Sequence, residues 1–225
     1  MSRTRIDNDT ARASADKTRM ALIDAGLALF GDKGFPATST REIAAKAKAN
    51  IGSIAYHFGG KEGLRDACAT HIVATVQNVA GPLLQAMPVP DRPETAEAQF
   101  RMIMERMTGF FLVRPEAGRI VQFILRELQH PTRALDIVYE GVFAMVHRRL
   151  CAIWGIATGD EAESEHAKLA VFTMIGQIVY FRIAREAVTR RMGWKGIGED
   201  EAAKIAAMAI ENLTASIAAR RGGAR

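Results

Sequence analysis

The chain has 225 residues, of which 48% are hydrophobic and 24% charged, and its formal net charge is +5. These fractions are typical of a globular protein, and a chain of this length buries roughly 70% of its unfolded surface without needing disulfides. The first residues are polar, and the most apolar stretch, residues 169–181, is shorter than the roughly 20 residues of a transmembrane helix. We therefore exclude a secreted, membrane-spanning, collagenous or wholly disordered protein, and we expect a cytoplasmic protein with no membrane partner.

The positive charge is concentrated near the N-terminus. Residues 1–65 hold eleven Lys or Arg against seven Asp or Glu, a net charge of +4, whereas the rest of the chain carries +1. A basic segment joined to a nearly neutral body indicates an anionic partner for one end of the molecule. The two cysteines, Cys68 and Cys151, are too few for a disulfide framework and fit a reducing compartment.

The N-terminal third begins with a polar segment without an apolar period, residues 1–15, which we predict to be a flexible arm. Asp16 is a favoured N-cap, and the apolar residues that follow it have helical spacing up to Phe30. Two very short helices are expected between residues 39 and 58, followed by a longer helix from Lys61 to about Leu84. The proline-rich segment MPVPDRP then indicates a linker.

The remaining residues show helical patterns separated by Gly and Pro, and no strand pattern. We predict an all-α protein with a helix-turn-helix domain at residues 16–65 and a helical domain at residues 66–220. Residues 189–198 are predicted to be a basic, glycine-rich loop and residues 221–225 a disordered tail. The predicted helices of the second domain span residues 95–113, 115–129, 132–154, 161–187 and 199–219.

Residues 40–58 carry the pattern of a helix-turn-helix. Ile43 and Ala47 supply the inner face of the first short helix, and Ile54 and Phe58 supply that of the second. Neither helix is long enough to be stable alone, so both must pack on the flanking helices. The result is a three-helix unit that exposes its second helix to the DNA major groove.

Residues 17–64 contain a set of residues in a specific order and spacing: Ala25, Leu29, Phe30, Gly34, Phe35, Thr38, Ser39, Arg41–Ala44, Ala47, Gly52–Ile54, Tyr56–Phe58 and Lys61–Leu64. Through these residues the segment resembles the N-terminal domain of the TetR family of bacterial transcriptional regulators. The segment Arg126–Pro131 (RELQHP), together with the helix lengths, resembles the CecR-like subgroup of that family.

Two residues depart from the family pattern. Thr40 occupies a position that is usually apolar, and Lys48 stands where the turn usually has glycine. A left-handed conformation costs a residue other than glycine roughly 1 kcal/mol. Lys48 therefore either bears that strain or reshapes the turn, and neither substitution removes the motif.

The second short helix offers side chains for base and backbone contacts. Ser53 can bond a base edge or a phosphate, and Ile51 and Ala55 can touch thymine methyl groups. The resemblance implies that Tyr56 and His57 reach phosphates. Amides at the start of the first short helix and the lysine that opens the next helix are expected to meet the DNA backbone. The predicted DNA-binding residues are Ser39, Thr40, Arg41, Lys48, Asn50, Ile51, Gly52, Ser53, Ala55, Tyr56, His57 and Lys61.

The resemblance further implies a homodimer on a palindromic operator and a small-molecule effector bound in the helical domain. Because that domain is nearly neutral, we expect the effector to be apolar or aromatic. The predicted pocket residues are Met107, Phe111, Phe123, Arg126, Tyr139, Phe172 and Gln177.

The last predicted helix carries an apolar stripe with a spacing of four residues, and the preceding long helix carries a similar one. We predict that the two stripes form a four-helix bundle with a second copy of the chain. The alternative packs the stripe of the last helix inside one subunit. The predicted interface residues are Leu169, Phe172, Gly176, Ile205, Ala209, Leu213 and Ile217.

Together these features predict a bacterial, nucleoid-associated repressor that an effector releases from its operator, with no enzymatic activity. An activator remains an alternative. The first rival is a helical enzyme that uses Tyr56 and His57 as an acid–base pair, and the second is an architectural DNA-binding protein without an effector. The sequence has no histidine pair at the spacing of a helical metal site, no CxxC or HExxH and no phosphate-binding glycine motif, so we expect no metal or cofactor.

Overall fold

The computed structural model describes residues 3–84 and 88–223. This part of the chain forms α-helices and contains no strand, which confirms the predicted all-α fold. The helices are α1 (Arg3–Lys33), α2 (Thr40–Ala47), α3 (Gly52–Phe58), α4 (Lys61–Leu84), α5 (Pro93–Val113), α6 (Pro115–Gln129), α7 (Arg133–Val138), α8 (Ala144–Thr158), α9 (Glu165–Ile183), α10 (Arg185–Met192) and α11 (Glu199–Gly223), with a π-helical turn, Tyr139–Phe143, between α7 and α8.

The chain forms two compact units. The first contains the residues up to Val76 together with Arg119–Gly141, and the second contains Gln77–Gly118 and the residues from Val142 onward. The predicted boundary at residue 65 needs correction, because the first unit extends further along α4 and includes most of α6 and all of α7.

Two contacts of α6 explain this division. The ring of Phe123 is fully buried and packs against Phe30 of α1, with ring centroids 6.5 Å apart. The guanidinium of Arg126 donates hydrogen bonds to the carbonyl oxygens of Gly31 and Asp32, at 3.1 and 3.0 Å. These bonds satisfy carbonyls at the C-terminus of α1, where no later turn of the helix supplies amides that could donate to them. The contacts join residues that are far apart in sequence, so periodicity could not indicate them.

The N-terminal segment that we predicted as a flexible arm is helical from Arg3 onward. No glycine or proline occurs between Arg3 and Ala25, so nothing interrupts the backbone hydrogen bonds of α1. An exposed helix needs no apolar face, and residues 12–17, which carry no large apolar side chain, are largely exposed. Met1 and Ser2 lie outside the described residues.

Two predicted helices need correction. The helix α8 continues through Gly155 to Thr158 and ends at Gly159, which has a left-handed backbone with φ of 88°. Gly155 serves close packing instead, since a Cβ there would lie 2.8 Å from the carbonyl oxygen of Asp160. The predicted helix at 161–187 is broken at Ala184 into α9 and α10, which bend by 78°.

The predicted loop at 189–198 and the predicted tail at 221–225 are both shorter than expected. The loop begins only after Met192, at the end of α10, and α11 continues to Gly223. Arg221 holds this last turn, since its guanidinium donates to the carbonyl oxygens of Ala157 and Pro93 at 2.6 and 3.1 Å. Residues 224 and 225 lie outside the described part of the chain.

The second unit encloses an apolar core between α5, α8, α9 and α11. Phe100 and Trp154 meet edge to face at its centre, with ring centroids 6.5 Å apart. The indole nitrogen of Trp154 donates to Asp160, which also accepts from Arg220 of α11 at 2.6 Å. The core is therefore closed at one end by a polar cluster in which Asp160 is half-buried and Arg220 is exposed.

The apolar stripe of α11 lies inside this core. Its members are buried against α5, α8 and α9, and Leu213 is 0% exposed. The prediction that the stripe forms a dimer interface is therefore wrong, and the alternative, packing within one subunit, holds. An apolar stripe of this width can pack equally well on other helices of its own chain or on a second copy. The spacing of the apolar residues alone cannot distinguish the two cases. The residues that move from the predicted dimer interface to the core of the subunit are Ile205, Ala209, Leu213 and Ile217.

Within residues 3–84 and 88–223, no single helix has both the length and the apolar composition needed to cross a bilayer.

Candidate nucleic-acid interface

The helix α2 begins at a complete capping box. Ser39 has an extended backbone, its hydroxyl accepts from the amide of Glu42, and its own amide donates to the Glu42 carboxylate at 2.9 Å. Lys33 donates to the same carboxylate at 2.6 Å. The bonds from Lys33 and then Ser39 lower the pKa of Glu42 to about 2. The Ser39 amide is therefore already occupied, whereas Thr40 and Arg41 keep free amides at the helix start.

The turn between α2 and α3 depends on Lys48. Its backbone is left-handed, with φ of 52° and ψ of 39°, and its amide donates to Ala45. Among the described residues it is the only one other than glycine with a positive φ. Of the two outcomes we considered, Lys48 bears the strain and the turn keeps its shape. The next amide, of Ala49, bonds to the Ala44 carbonyl at 2.9 Å and completes the turn.

Asn50 fixes the start of α3 from the turn that precedes the helix. Its side-chain oxygen accepts from the amide of Gly52 at 2.8 Å, and its carbonyl accepts from Ser53 at 3.0 Å. The formal N-cap is Ile51, whose side chain makes no capping bond. The Asn50 side chain is thus engaged in building the turn.

One side of α3 is buried and the other is open. Ile54 is 2% exposed and anchors the helix, whereas Tyr56 is 83% exposed and is not a packed aromatic residue. The Tyr56 ring meets the His57 ring edge-on at 4.9 Å between centroids. The other predicted groove residues that are exposed or half-exposed are Ile51, Gly52, Ser53 and Ala55.

The junction of α3 and α4 is held by backbone contact. Gly59 and Gly60 have positive φ of 73° and 139°, which only glycine adopts readily. A Cβ at Gly63 would overlap the carbonyl oxygen of Phe58 and lie 3.1 Å from its carbon. The motif Lys61–Leu64 therefore contains glycine because the end of α3 presses on the first turn of α4.

Lys61 has a structural partner that the sequence did not reveal. Its ammonium donates to the Phe35 carbonyl at 2.5 Å and lies 4.1 Å from the centroid of the Phe35 ring. Burial, followed by the charge of Arg65, lowers the pKa of Lys61. The ammonium has further N–H donors, so a phosphate contact by Lys61 stays a prediction.

Two further cations lie beside the motif. The Arg19 guanidinium of α1 is 5.6 Å from the Phe58 ring centroid. Arg119 of α6, with Lys46, Lys48 and Asp24, lines a cleft of about 260 Å³ beside the turn. Arg119 was not among the predicted DNA-binding residues because it lies far from the helix-turn-helix along the chain. The sequence indicates only that it lies near the start of α6. These residues extend the positive surface around α3.

The geometry is that of a DNA-reading head, and comparison with known proteins identifies its family. Residues 22–68 match the model of bacterial regulatory proteins of the tetR family, and residues 96–220 match the C-terminal domain of the HTH-type transcriptional dual regulator CecR. The chain belongs to the TetR family. It is a DNA-binding transcriptional regulator of the kind that carries a CecR-type C-terminal domain.

One relative spans most of the chain. The HTH-type transcriptional dual regulator CecR of Shigella flexneri is 33% identical over 202 residues, which cover 87% of this chain and 89% of the relative. Two solved structures share the fold. AibR in complex with isovaleryl coenzyme A and operator DNA has a TM-score of 0.64, 14% identity, and coverage of 86% and 96%. FadR of Bacillus subtilis in complex with stearoyl-CoA has a TM-score of 0.59, 14% identity, and coverage of 85% and 97%.

The predicted effector residues are divided between the two units. Phe123, Arg126 and Tyr139 belong to the first unit, where Phe123 and Arg126 hold α6 on α1 as described above. The remaining candidates belong to the second unit: Met107 and Phe111 are half-buried against its core, Phe172 is 60% exposed, and Gln177 accepts a hydrogen bond from Asn212 at 3.0 Å.

The predicted dimer residues on α9 differ from those on α11. Leu169, Phe172 and Gly176 are exposed, and Tyr180 and Ile183 extend the same exposed apolar side of the helix. The opposite side of α9 is buried in the core of the second unit. The helix α9 is therefore apolar on both sides, which a protomer alone does not require.

Proposed function

We propose that the protein is a homodimeric repressor that binds a palindromic operator in the nucleoid and is released by a small-molecule effector. The observation that carries this proposal is the rigid head described above. Its α3 helix exposes side chains that can enter the major groove. The Asn50 hydrogen bonds, the left-handed backbone of Lys48 and the contact between Gly63 and Phe58 fix the orientation of that helix. Such a head binds DNA without reorganising, and two heads at fixed spacing read two half-sites.

The support for a second copy comes from α9. Its exposed apolar residues form a continuous side, and burying them against a symmetry mate would remove that surface from water. The interface we propose consists of Leu169, Phe172 and Gly176, with Tyr180 and Ile183 beside them.

The support for an effector comes from the two structural relatives, both of which were solved with an acyl-CoA. An effector acts as a releasing ligand if it binds more tightly to the conformation that fits DNA poorly, and a tenfold loss of operator affinity needs about 1.4 kcal/mol of such preference. Reciprocity requires that operator DNA weaken effector binding by the same factor. We propose that an apolar or aromatic effector contacts the candidates in the second unit.

A second candidate function is activation. The Shigella flexneri relative is named a dual regulator, so a chain with this C-terminal domain can combine both roles. Promoter fusions distinguish the two functions. Deletion of the gene should raise reporter expression if the protein is a repressor and lower it if the protein is an activator.

The experiment that tests DNA reading compares two tyrosines. The DNA is the sequence that the full chain selects from a random duplex library, and affinity is measured by fluorescence anisotropy at several salt concentrations. Because Tyr56 is open on α3, Tyr56→Ala should weaken binding by roughly tenfold with an unchanged fold. Tyr139→Ala, an equally simple change at another exposed tyrosine of the first unit, should leave binding intact. Equal affinities of the two variants would contradict the assignment of α3.

A further inference from the structure

We propose that Arg182 and Arg185, on either side of the break between α9 and α10, bind the anionic group of an amphiphilic small molecule. The site takes a carboxylate or a phosphate that carries an apolar chain. The existence of this site does not depend on the repressor proposal, but its role as an effector site rests on that proposed function.

The guanidinium of Arg182 occupies the space that a side chain at Gly118 would fill. A Cβ added at Gly118, in the first turn of α6, would overlap Nη2 of Arg182 and lie 2.9 Å from Cζ. The guanidinium therefore rests directly on the α6 backbone and is half-buried there. The charge of Arg182 is therefore partly removed from water, and no carboxylate of the described residues forms an ion pair with it.

Arg185 is fixed in orientation by main-chain carbonyls. Its Nη1 donates to Leu112 at 3.0 Å, at the end of α5, and its Nη2 donates to Ile197 at 2.7 Å, in the segment before α11. Carbonyl oxygens orient a guanidinium but do not neutralise it. The charge of Arg185 is thus held in one place in advance of any ligand.

Neither arginine is neutralised by an acidic side chain. In residues 3–84 and 88–223, no carboxylate forms an ion pair with Arg182 or Arg185, whereas Arg190 pairs with Glu186 and Arg220 with Asp160. Burial, followed by the charge of Arg185, lowers the pKa of Arg182. Two neighbouring cations that repel each other in a partly dry setting are stabilised by an anion between them.

The surroundings of the pair are apolar. Leu112 and Ile197, whose carbonyls hold Arg185, belong to a buried cluster, and the half-buried rings of Phe111, Phe181 and Trp194 pack against it. A fully hydrated anion gains nothing from such neighbours, whereas an alkyl or aryl chain attached to the anion does. This combination selects an amphiphile over a simple inorganic ion.

The test uses three eight-carbon probes with the full-length protein. Octanoate and octyl phosphate carry the two anionic groups on one chain, and octanol carries the same chain without charge. Titration calorimetry should show both anions binding at least tenfold more tightly than octanol, with that preference weakened by salt. The relative affinity of octanoate and octyl phosphate then identifies which anion the site prefers.

Two variants and one control locate the site. Arg182→Gln should remove the anion preference, about a tenfold loss for octanoate, and leave octanol binding unchanged. Gly118→Ala should weaken octanoate binding because the new methyl group displaces the guanidinium. Arg190→Gln, which removes an exposed arginine of α10, should change nothing. Equal binding of octanoate and octanol, or an anion preference that survives Arg182→Gln, would overturn the site.

Operator affinity measured with and without octanoate separates the two proposals. If octanoate binds through Arg182 and leaves operator affinity unchanged, the site stands and its role as an effector site fails. If the chain selects no operator while Arg182→Gln still removes octanoate binding, the repressor proposal fails and the site stands. If operator binding is intact and the anion preference is absent, the site fails alone.

Discussion

The helices α3 and α11 are held in place by different means. The seven-residue α3 buries one large side chain, Ile54, and its position is set by the Asn50 bonds, the Lys48 turn and the Gly63 contact. The 25-residue α11 buries a whole apolar stripe in the core of the second unit. A helix that is fixed by its turns keeps most of its side chains free for a ligand, whereas a helix that is fixed by burial commits its apolar side chains to the core.

The sharpest way to break this comparison is a charge in the α11 stripe. Leu213→Arg places a cation at a fully buried position with no partner, which should cost about 3–5 kcal/mol and unfold the second unit. Urea unfolding followed by circular dichroism measures the loss. Met208→Arg, on the exposed side of α11, is the control and should be neutral. A folded, monomeric Leu213→Arg protein would restore the stripe to a dimer interface.

The corresponding change in the short-helix region is Gly63→Ala. The added methyl group meets the backbone of Phe58, which cannot rotate away, so we expect a loss of about 1–3 kcal/mol in unfolding free energy. Gly109→Ala, where a Cβ has open space in α5, should be neutral or slightly stabilising. Similar stabilities of the two variants would show that the junction of α3 and α4 is looser than described.

The exposed side of α9 supplies a third test, of association without unfolding. Leu169 is 59% exposed, so Leu169→Arg should leave the protomer folded and shift sedimentation at low micromolar concentration from dimer to monomer. Leu128→Arg makes the same change at a leucine that is 54% exposed in the first unit, and it should remain dimeric. A dimeric Leu169→Arg protein would remove α9 from the interface.

Lys48→Gly tests the strain in the turn. Glycine adopts a positive φ without a steric penalty but loses more chain entropy on folding, so the net gain should be about 0.5–1 kcal/mol in unfolding free energy. Chemical denaturation measures this gain. A destabilised Lys48→Gly protein would mean that the lysine side chain contributes more than its backbone costs.

The smallest expected effect is the acid dependence of the α2 cap. The pKa of Glu42 in the folded protein is lowered to about 2, from its ordinary value of 4.5. A lowered folded pKa stabilises the protein above the unfolded pKa, and this contribution is lost as the pH falls from about 4.5 to 2. Glu42→Gln should therefore flatten the stability profile in that window, whereas Glu105→Gln should not. Parallel profiles for Glu42→Gln and the wild type would show that the cap is not ionic.

The head was predictable from sequence and much of the second unit was not. The order of Ile43, Ala47 and Ile54 with a turn between them encodes local contacts, and the structure has both helices where they were expected. The stripe of α11 takes its role from contacts within the second unit, and Arg126 of α6 takes its role from contacts within the first unit. Periodicity shows that a side is buried but not against what, so Leu213 was assigned to a second copy and Arg126 to a pocket.

Selection of DNA by the full-length protein and by Ser53→Ala tests the central claim most directly. We expect the wild-type protein to recover a two-fold symmetric sequence, because two identical heads read it. We expect Ser53→Ala to recover a sequence changed at symmetric positions, whereas Lys61→Ala should recover the same sequence with lower affinity. An asymmetric sequence, or one that Ser53→Ala leaves unaltered, would contradict the assignment of α3 as the helix that reads the operator.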